Sequence, residues 1–226
     1  MVKQAPPAQT PAIIRVLVAD DHEMIRRGVR NVIESMDGWE VCGEAANGLE
    51  AVQMAEKCRP EIAVLDIAMP LLNGIDATRQ IRKRVRSTEV LILTGIETED
   101  VVRRVFASGA RSCLLKTEGS HHIEEALRAL ASHRSYFTTR AGEILFDRMF
   151  QEGKRNHKSS ANALTARERE IVQLVTEGLS NKEAAARLGI SEKTIETHRA
   201  TVMRKLKLKS FSDLVRYAIR NHITSL

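Results

Sequence analysis

The chain has 226 residues, with 35 Lys+Arg against 29 Asp+Glu for a formal net charge of +6, and 43% of its residues are hydrophobic. At roughly 150 residues per domain, that length fits one large or two small domains, and the composition is that of a globular protein rather than a disordered one. No run reaches the ~18 consecutive apolar residues of a membrane span. Met1–Thr10 has no apolar stretch of the kind a secretory signal needs, so no membrane partner and a cytoplasmic location are expected. Cys42, Cys58 and Cys113 lie far apart with no CxxC pair, a spacing that points to neither a zinc site nor a disulfide framework and suits a reducing compartment.

The charge is divided unevenly. Residues 1–140 carry 19 Lys+Arg and 19 Asp+Glu, whereas residues 141–226 carry 16 and 10, so the whole excess sits in the last part of the chain. Within Lys193–Lys209 the cations Lys193, Arg199, Arg204, Lys205, Lys207 and Lys209 face a single acid, Glu196. A neutral part joined to a basic part is the electrostatic pattern of a nucleic-acid-binding module attached to something else.

After a proline-marked tail over residues 1–11, five short apolar runs follow: Ile13–Ala19, Val41–Ala45, Ile62–Leu65, Val90–Leu93 and Cys113–Leu115. They alternate with segments of helical periodicity at Glu23–Met36, Leu49–Lys57, Ile75–Val85, Asp100–Ala107 and Ile123–Ser132. Repeated βαβ units of this kind predict a five-stranded, doubly wound parallel sheet over residues 12–135. Residues 136–162 read as a linker helix followed by a polar, aperiodic linker. From residue 163 to 226 every segment is helical. Thr165 and Glu168 form a capping box, Gly178 ends that helix, and Asn181–Leu188, Ser191–Leu206 and Phe211–Asn221 complete a four-helix domain.

In a parallel α/β sheet, functional groups gather beyond the C-terminal strand ends. Here those ends carry Asp20-Asp21, Asp66, Thr94 and Lys116 in order. Three converging carboxylates repel one another and call for a cation. Oxygen ligands favour Mg²⁺ or Mn²⁺, while a lysine and a threonine opposite can hold phosphoryl oxygens.

These residues, together with Met69-Pro70, Gly74, Leu93-Thr94-Gly95 and Gly109-Ala110, make residues 13–135 resemble the receiver domains of two-component response regulators, which have a flavodoxin-like fold. The resemblance implies that Asp66 is the phospho-acceptor for a sensor histidine kinase. It also implies that Asp20, Asp21, Asp66 and the Ala68 carbonyl hold the metal, and that Thr94 and Lys116 read the phosphoryl group. His22 is expected only to pack locally. Two positions depart from the family pattern: Cys113 stands where an aromatic switch residue is usual, and Thr117 where proline commonly follows the lysine.

Residues 181–200 have the spacing of a helix-turn-helix, with Ala185 at the crossing and Gly189 at the turn. At about 100° per residue, Ile195, Val202 and Leu206 share one stripe of the second helix, and Lys193, Glu196, Thr197, Ala200 and Arg204 share the opposite face. That face suits a major groove. The segment Leu164-Thr165-Ala166-Arg167-Glu168, with Asn181-Lys182-Glu183 and Thr194-Ile195-Glu196-Thr197-His198, is similar to the LuxR-type DNA-binding domain. Joined to a receiver, it is similar to the NarL/FixJ class of response regulators.

That resemblance implies base contacts from Glu196, Thr197 and Ala200. Asn181, Lys182, Thr194, Arg199 and Lys205 would contact phosphates, and Leu214, Val215 and Ala218 would form a dimer contact, although packing in the core is an equally good reading of those three. Double-stranded DNA, a cognate sensor histidine kinase and a second copy on DNA are the implied partners, with RNA polymerase a candidate. No enzyme activity is expected beyond the chain's own Mg-dependent phosphotransfer and dephosphorylation. A phosphatase with an aspartyl nucleophile would place its general acid two residues after Asp66, where this chain has Ala68. An acyl-homoserine-lactone receptor would be expected to have more pocket aromatics than one Trp and two Tyr allow. A receiver that signals without phosphate is the third alternative, kept open by Cys113.

Overall fold

The computed structural model describes residues 13–95, 98–138, 141–143 and 164–224. The N-terminal part alternates strand and helix: β1 (Ile14–Ala19), α1 (Glu23–Glu34), β2 (Trp39–Ala45), α2 (Gly48–Cys58), β3 (Ile62–Asp66), α3 (Gly74–Arg84), β4 (Glu89–Thr94), α4 (Glu99–Ala107), β5 (Ser112–Leu115), α5 (Ser120–Ala131) and β6 (Tyr136–Phe137). The strands form one sheet in the order β2-β1-β3-β4-β5-β6, with every pair parallel.

The sheet therefore has six strands rather than the expected five. The sixth is two residues long, too short to show a period-two pattern, and it extends the sheet into the segment expected to begin the linker. In register, Phe137 lies beside Cys113 and stacks edge-on against Phe106 of α4, with ring centroids 5.0 Å apart. Thus an aromatic is present one strand over from the position where Cys113 replaces one. Most of the expected linker helix and all of the linker lie outside the described residues.

Period-two alternation divides the strand residues between two cores. Val16, Val18, Val64, Leu91, Leu93 and Leu114 pack under α1 and α5. Leu17, Ala19, Ala63, Leu65, Ile92 and Cys113 pack on the other face, under α2, α3 and α4. β3 is buried along its whole length, including Asp66 at its end. Burial on both faces leaves the strand ends as the only polar exit, which is why functional groups collect there.

Four helices follow: α6 (Ala166–Thr176), α7 (Asn181–Leu188), α8 (Glu192–Lys205) and α9 (Phe211–Arg220). Thr165 and Glu168 make the full capping box expected of them, and Ser180 with Glu183 and Ser210 with Asp213 make two more. Such a cap is worth about 1 kcal/mol. Gly189 ends α7 at φ 63, a left-handed position that favours glycine and turns the chain from α7 into α8. Ile171, Leu174, Ile195, Val202, Leu214 and Ala218 form the core of these helices.

Leu214 and Ala218 are 1% and 0% exposed within a single chain, so of the two readings of these residues the core one holds and the dimer one does not. Their spacing of four placed them on one face of α9, but that face turns inward, onto α6. Only Val215, half-buried, remains accessible.

Candidate functional site

The acidic cluster assembles as the strand order dictates. β1 and β3 are neighbours, so Asp20 and Asp66 come together, each 2% exposed. β4 and β5 add Thr94 and Lys116. The Lys116 ammonium lies 2.8 Å from Asp20 Oδ2 and 3.0 Å from Asp66 Oδ2. Its direction still leaves both of those buried oxygens without a well-formed hydrogen bond among the described residues. Asp20, Asp21, His22 and Asp66 each offer a ligand atom, all within 4.8 Å of one another. Two buried, poorly satisfied carboxylate oxygens beside an exposed third carboxylate fit a small divalent cation, which favours oxygen donors.

His22 does more than the local packing expected of it. Its side chain is largely exposed, its Nδ1 lies 2.8 Å from Asp21 Oδ1, and its backbone N–H donates to Asp20 Oδ1 at 2.9 Å. The adjacency of His22 to Asp20-Asp21 in sequence was the only signal for this.

Burial raises the Asp66 carboxyl above the usual carboxylate range, repulsion from Asp20 adds to the rise, and Lys116 opposes it. For Lys116, burial alone would lower the pKa, but the carboxylates of Asp20 and Asp66 outweigh it and the net shift is upward. The ammonium is therefore held charged between two acids.

The loop from Ile67 to Asn73 is shaped by backbone packed on backbone. A Cβ on Gly74 would sit 1.9 Å from the Asp66 carbonyl oxygen, and one on Gly48 equally close to that of Leu72. Leu71 holds a left-handed φ of 67, costly for a branched side chain, and packs against the core of the C-terminal helices. A cavity of about 340 Å³ opens over Asp66, lined by Met69, Thr94, Val101 and Lys116 from this domain and by His222 and Ile223 from the chain's last turn.

The same loop is gripped by α6. Gln173, fully buried, accepts from the Asn73 backbone N–H at 2.8 Å and from Asn73 Nδ2 at 3.1 Å, and donates to the Met69 carbonyl at 3.0 Å. Glu177 accepts from the Leu71 N–H at 3.0 Å and from Gln173 Nε2 at 2.8 Å. Arg169 donates to Asp76, itself 3% exposed, at 3.1 Å, and Arg104 of α4 donates to the Asn221 carbonyl. Sequence reasoning missed this contact. Its one readable sign is the uninterrupted buried run Ile171–Val175, too apolar all round for a helix with a free outer face.

On the helix-turn-helix the expected wheel is observed. Ile195 and Val202 are fully buried and Leu206 is half-buried, while Lys193, Glu196, Thr197, Ala200 and Arg204 are exposed. Lys193 Nζ lies 3.1 Å from Glu196 Oε2. Lys182 is exposed, and Asn181 and Thr194 are half-buried. Arg199 donates to Asn181 Oδ1 and lies 5.7 Å over the Phe211 ring, and Lys205 pairs with the capping carboxylate of Glu168 at 2.9 Å. Those two cations thus already have partners within the chain. The receiver grips α6 and the last turn and leaves the outer face of α8 open.

Residues 16–128 match the family described as the response regulator receiver domain, and residues 162–218 match the bacterial regulatory proteins of the luxR family. The chain is 35% identical over 213 residues to the transcriptional regulatory protein LiaR of Bacillus subtilis, covering 94% of this chain and all of that protein. A two-component response regulator of the LuxR family from Aurantimonas sp. SI85-9A1 superposes with a TM-score of 0.57 at 30% identity, over 61% of this chain and 99% of that one. The RcsB–DNA complex superposes with a TM-score of 0.56 at 22% identity, over 92% and 98%, a likeness of fold. A receiver followed by a LuxR-type helix-turn-helix defines a DNA-binding response regulator. The chain belongs to the NarL/LuxR family of two-component response regulators.

The half-buried Glu177 makes the docking of the two domains sensitive to pH. Burial raises its pKa, against the lowering effect of Gln173 and the Leu71 N–H. A raised pKa means the docked form binds its proton more tightly. The contribution of Glu177 to docking is therefore fully present below the ordinary carboxylate pKa and is lost as pH rises through the docked value. Limited proteolysis within residues 69–76 should accelerate as pH rises above the ordinary carboxylate range, and Glu177→Gln should flatten that dependence. A steeper profile in the variant would contradict the assignment.

Proposed function

We propose that this chain is a phosphorylation-controlled transcription regulator that takes a phosphoryl group on Asp66 from a sensor histidine kinase. The observation that carries the reading is the Lys116 ammonium held within 3.0 Å of two buried carboxylates at the strand ends. An Asp66 oxygen attacks phosphorus, an O–P bond forms, and the P–N bond to the donor imidazole breaks. Lys116 offsets the negative charge that gathers on the phosphoryl oxygens, and the Thr94 hydroxyl donates to one of them. Asp20, Asp21, Asp66 and the Ala68 carbonyl would hold Mg²⁺ or Mn²⁺, which supplies charge neutralisation between the carboxylates and the phosphoryl oxygens. The same residues support dephosphorylation of Asp66 by water.

A phosphoryl group brings about −2 of charge into the cavity that His222 and Ile223 close. The Asp66 loop must rearrange around it, and that loop is what Gln173 and Glu177 hold. Phosphorylation therefore weakens the grip on α6 and frees the helical domain from its receiver. The receiver does not act by covering the recognition helix, since the outer face of α8 is exposed. Control here lies instead in orientation. Two copies must present their α8 helices to half-sites about one DNA turn apart, and a receiver clamped to α6 opposes that placement. Any contact between copies on α9 would use its outer side, where Val215 and Arg216 remain accessible.

Glu196 accepts hydrogen bonds only and is suited to a cytosine N4 amine, with Thr197 and Ala200 beside it facing bases. Asn181, Lys182, Lys193, Thr194, Arg199, Arg204 and Lys205 would position the duplex through its phosphates. Location in the bacterial cytoplasm, dimerisation on DNA and contact with RNA polymerase follow from this role.

Two tests separate its parts. Asp66→Asn should abolish labelling by acetyl phosphate and the gain in operator binding that the phosphodonor produces in the parent. A variant that still responded in full would sink the acceptor assignment. Glu196→Ala should relax preference at one base pair by about 1–3 kcal/mol. Lys182→Ala should weaken all sequences alike and reduce the salt slope by about one. Uniform losses from both would refute the division between reading and positioning.

A further inference from the structure

The pairing of β1 with β2 skips a residue: Val16 faces Val41, and the next residue, Leu17, faces Gly43, so Cys42 is the extra residue of a bulge. A bulge breaks the alternation of a strand and re-aims its side chain. Cys58 is the last residue of α2, immediately before Arg59, whose φ of 45 turns the chain away towards β3. Bulge and helix end together bring the two Sγ atoms to 3.0 Å, although 16 residues separate them. A disulfide needs about 2.05 Å, a shift of roughly one ångström shared by two side chains. Cys42 is half-buried and Cys58 is 9% exposed. Neither lines the cavity over Asp66, and neither belongs to the DNA-facing helices.

We propose that Cys42 and Cys58 form a thiol modification site, oxidised by a peroxide to an intramolecular disulfide that ties the edge strand β2 to α2. The more accessible Cys42 sulfur attacks one peroxide oxygen, the O–O bond breaks, and Cys42 sulfenic acid and water are formed. The Cys58 sulfur then attacks the sulfenic sulfur, the S–O bond breaks, and a second water leaves. In sum, two thiols and one hydrogen peroxide give one disulfide and two waters. The thiols lose two electrons to the peroxide oxygens and two protons to the waters.

The consequence is mechanical. β2 pairs on one side only, with β1, and is otherwise held by side-chain packing. A link from its bulge to the end of α2 closes a short loop and constrains the unfolded chain. Burial and the adjoining Cys58 thiol push Cys42 up to about 12, while Arg15 on β1 opposes the rise. Thiols of high pKa leave a disulfide slowly, so the bond, once made, resists reduction. The same shift keeps the Cys42 thiol protonated and makes its oxidation slow at neutral pH.

The test uses the full chain, treated with hydrogen peroxide and then alkylated, digested and weighed. The expected product is a Cys42–Cys58 linked peptide with a loss of two hydrogens, while Cys113 is recovered as the alkylated peptide. Its melting temperature should rise by about 5 °C and return to the starting value with dithiothreitol. Cys58→Ser should leave a Cys42 sulfenic acid that dimedone traps. Independent alkylation or over-oxidation of Cys42 and Cys58 after peroxide, or links that run through Cys113 or between chains, would overturn the proposal. So would a linked peptide with no change in melting temperature, since the bond would then not secure the edge strand.

Discussion

Two buried carboxylates held together by one ammonium set the terms for the rest of this molecule. Asp20 and Asp66 lie within 4.8 Å of each other, a separation at which they repel by roughly 3.5 kcal/mol if the effective dielectric is about 20. Lys116 at 2.8 and 3.0 Å attracts each by roughly 5–6 kcal/mol on the same scale, so the triad coheres before desolvation is counted. It remains short of cations, with a third carboxylate, Asp21, at its edge. A group built this way is suited to a divalent ion and, on the function proposed above, to a phosphoryl group, because each addition redistributes charge that one lysine alone leaves unbalanced. The doubly covered parallel sheet exists, in functional terms, to bring those three strand ends together.

The loop that leaves Asp66 carries the consequences outward. Its tight path depends on Gly74 and Gly48, where backbone meets backbone, and its strained Leu71 is held by the core of the other domain. Gln173 satisfies three polar groups of that loop at once. Removing such a buried partner leaves each of them unpaired at about 1–3 kcal/mol, which is comparable to the energy that moves a two-state equilibrium by one or two decades. Asp66 and the contact between the domains therefore share one short segment. Among the described residues, the recognition helix makes no hydrogen bond or ion pair with that loop.

Much of this was legible in the residues. Strand ends carrying Asp20, Asp66, Thr94 and Lys116 gave away the site because a parallel sheet puts all its C-terminal ends on one edge. The stripe through Ile195 and Val202 gave away which face of α8 is free, since helix periodicity is strict over four turns. Contacts between elements distant in sequence were not legible. Gln173 is one polar residue in an apolar run, and only the packed structure shows that it faces the loop after Asp66. Leu214 and Ala218 have a spacing that fits either a core or a dimer, and the direction in which α9 docks decides between them. The pairing of Cys42 with Cys58 depends on a bulge of one residue, which no spacing rule reports. β6 was missed because two residues show no period.

The central claim is that charge on Asp66 loosens the grip of α6 on the acceptor loop. Hydrogen–deuterium exchange of the full chain, with and without acetyl phosphate in the presence of magnesium, measures this directly. Amides of residues 69–76 and 169–177 should lose protection on phosphorylation in the parent and keep it in Asp66→Asn. Unchanged protection in both segments while Asp66 is demonstrably phosphorylated would contradict the account.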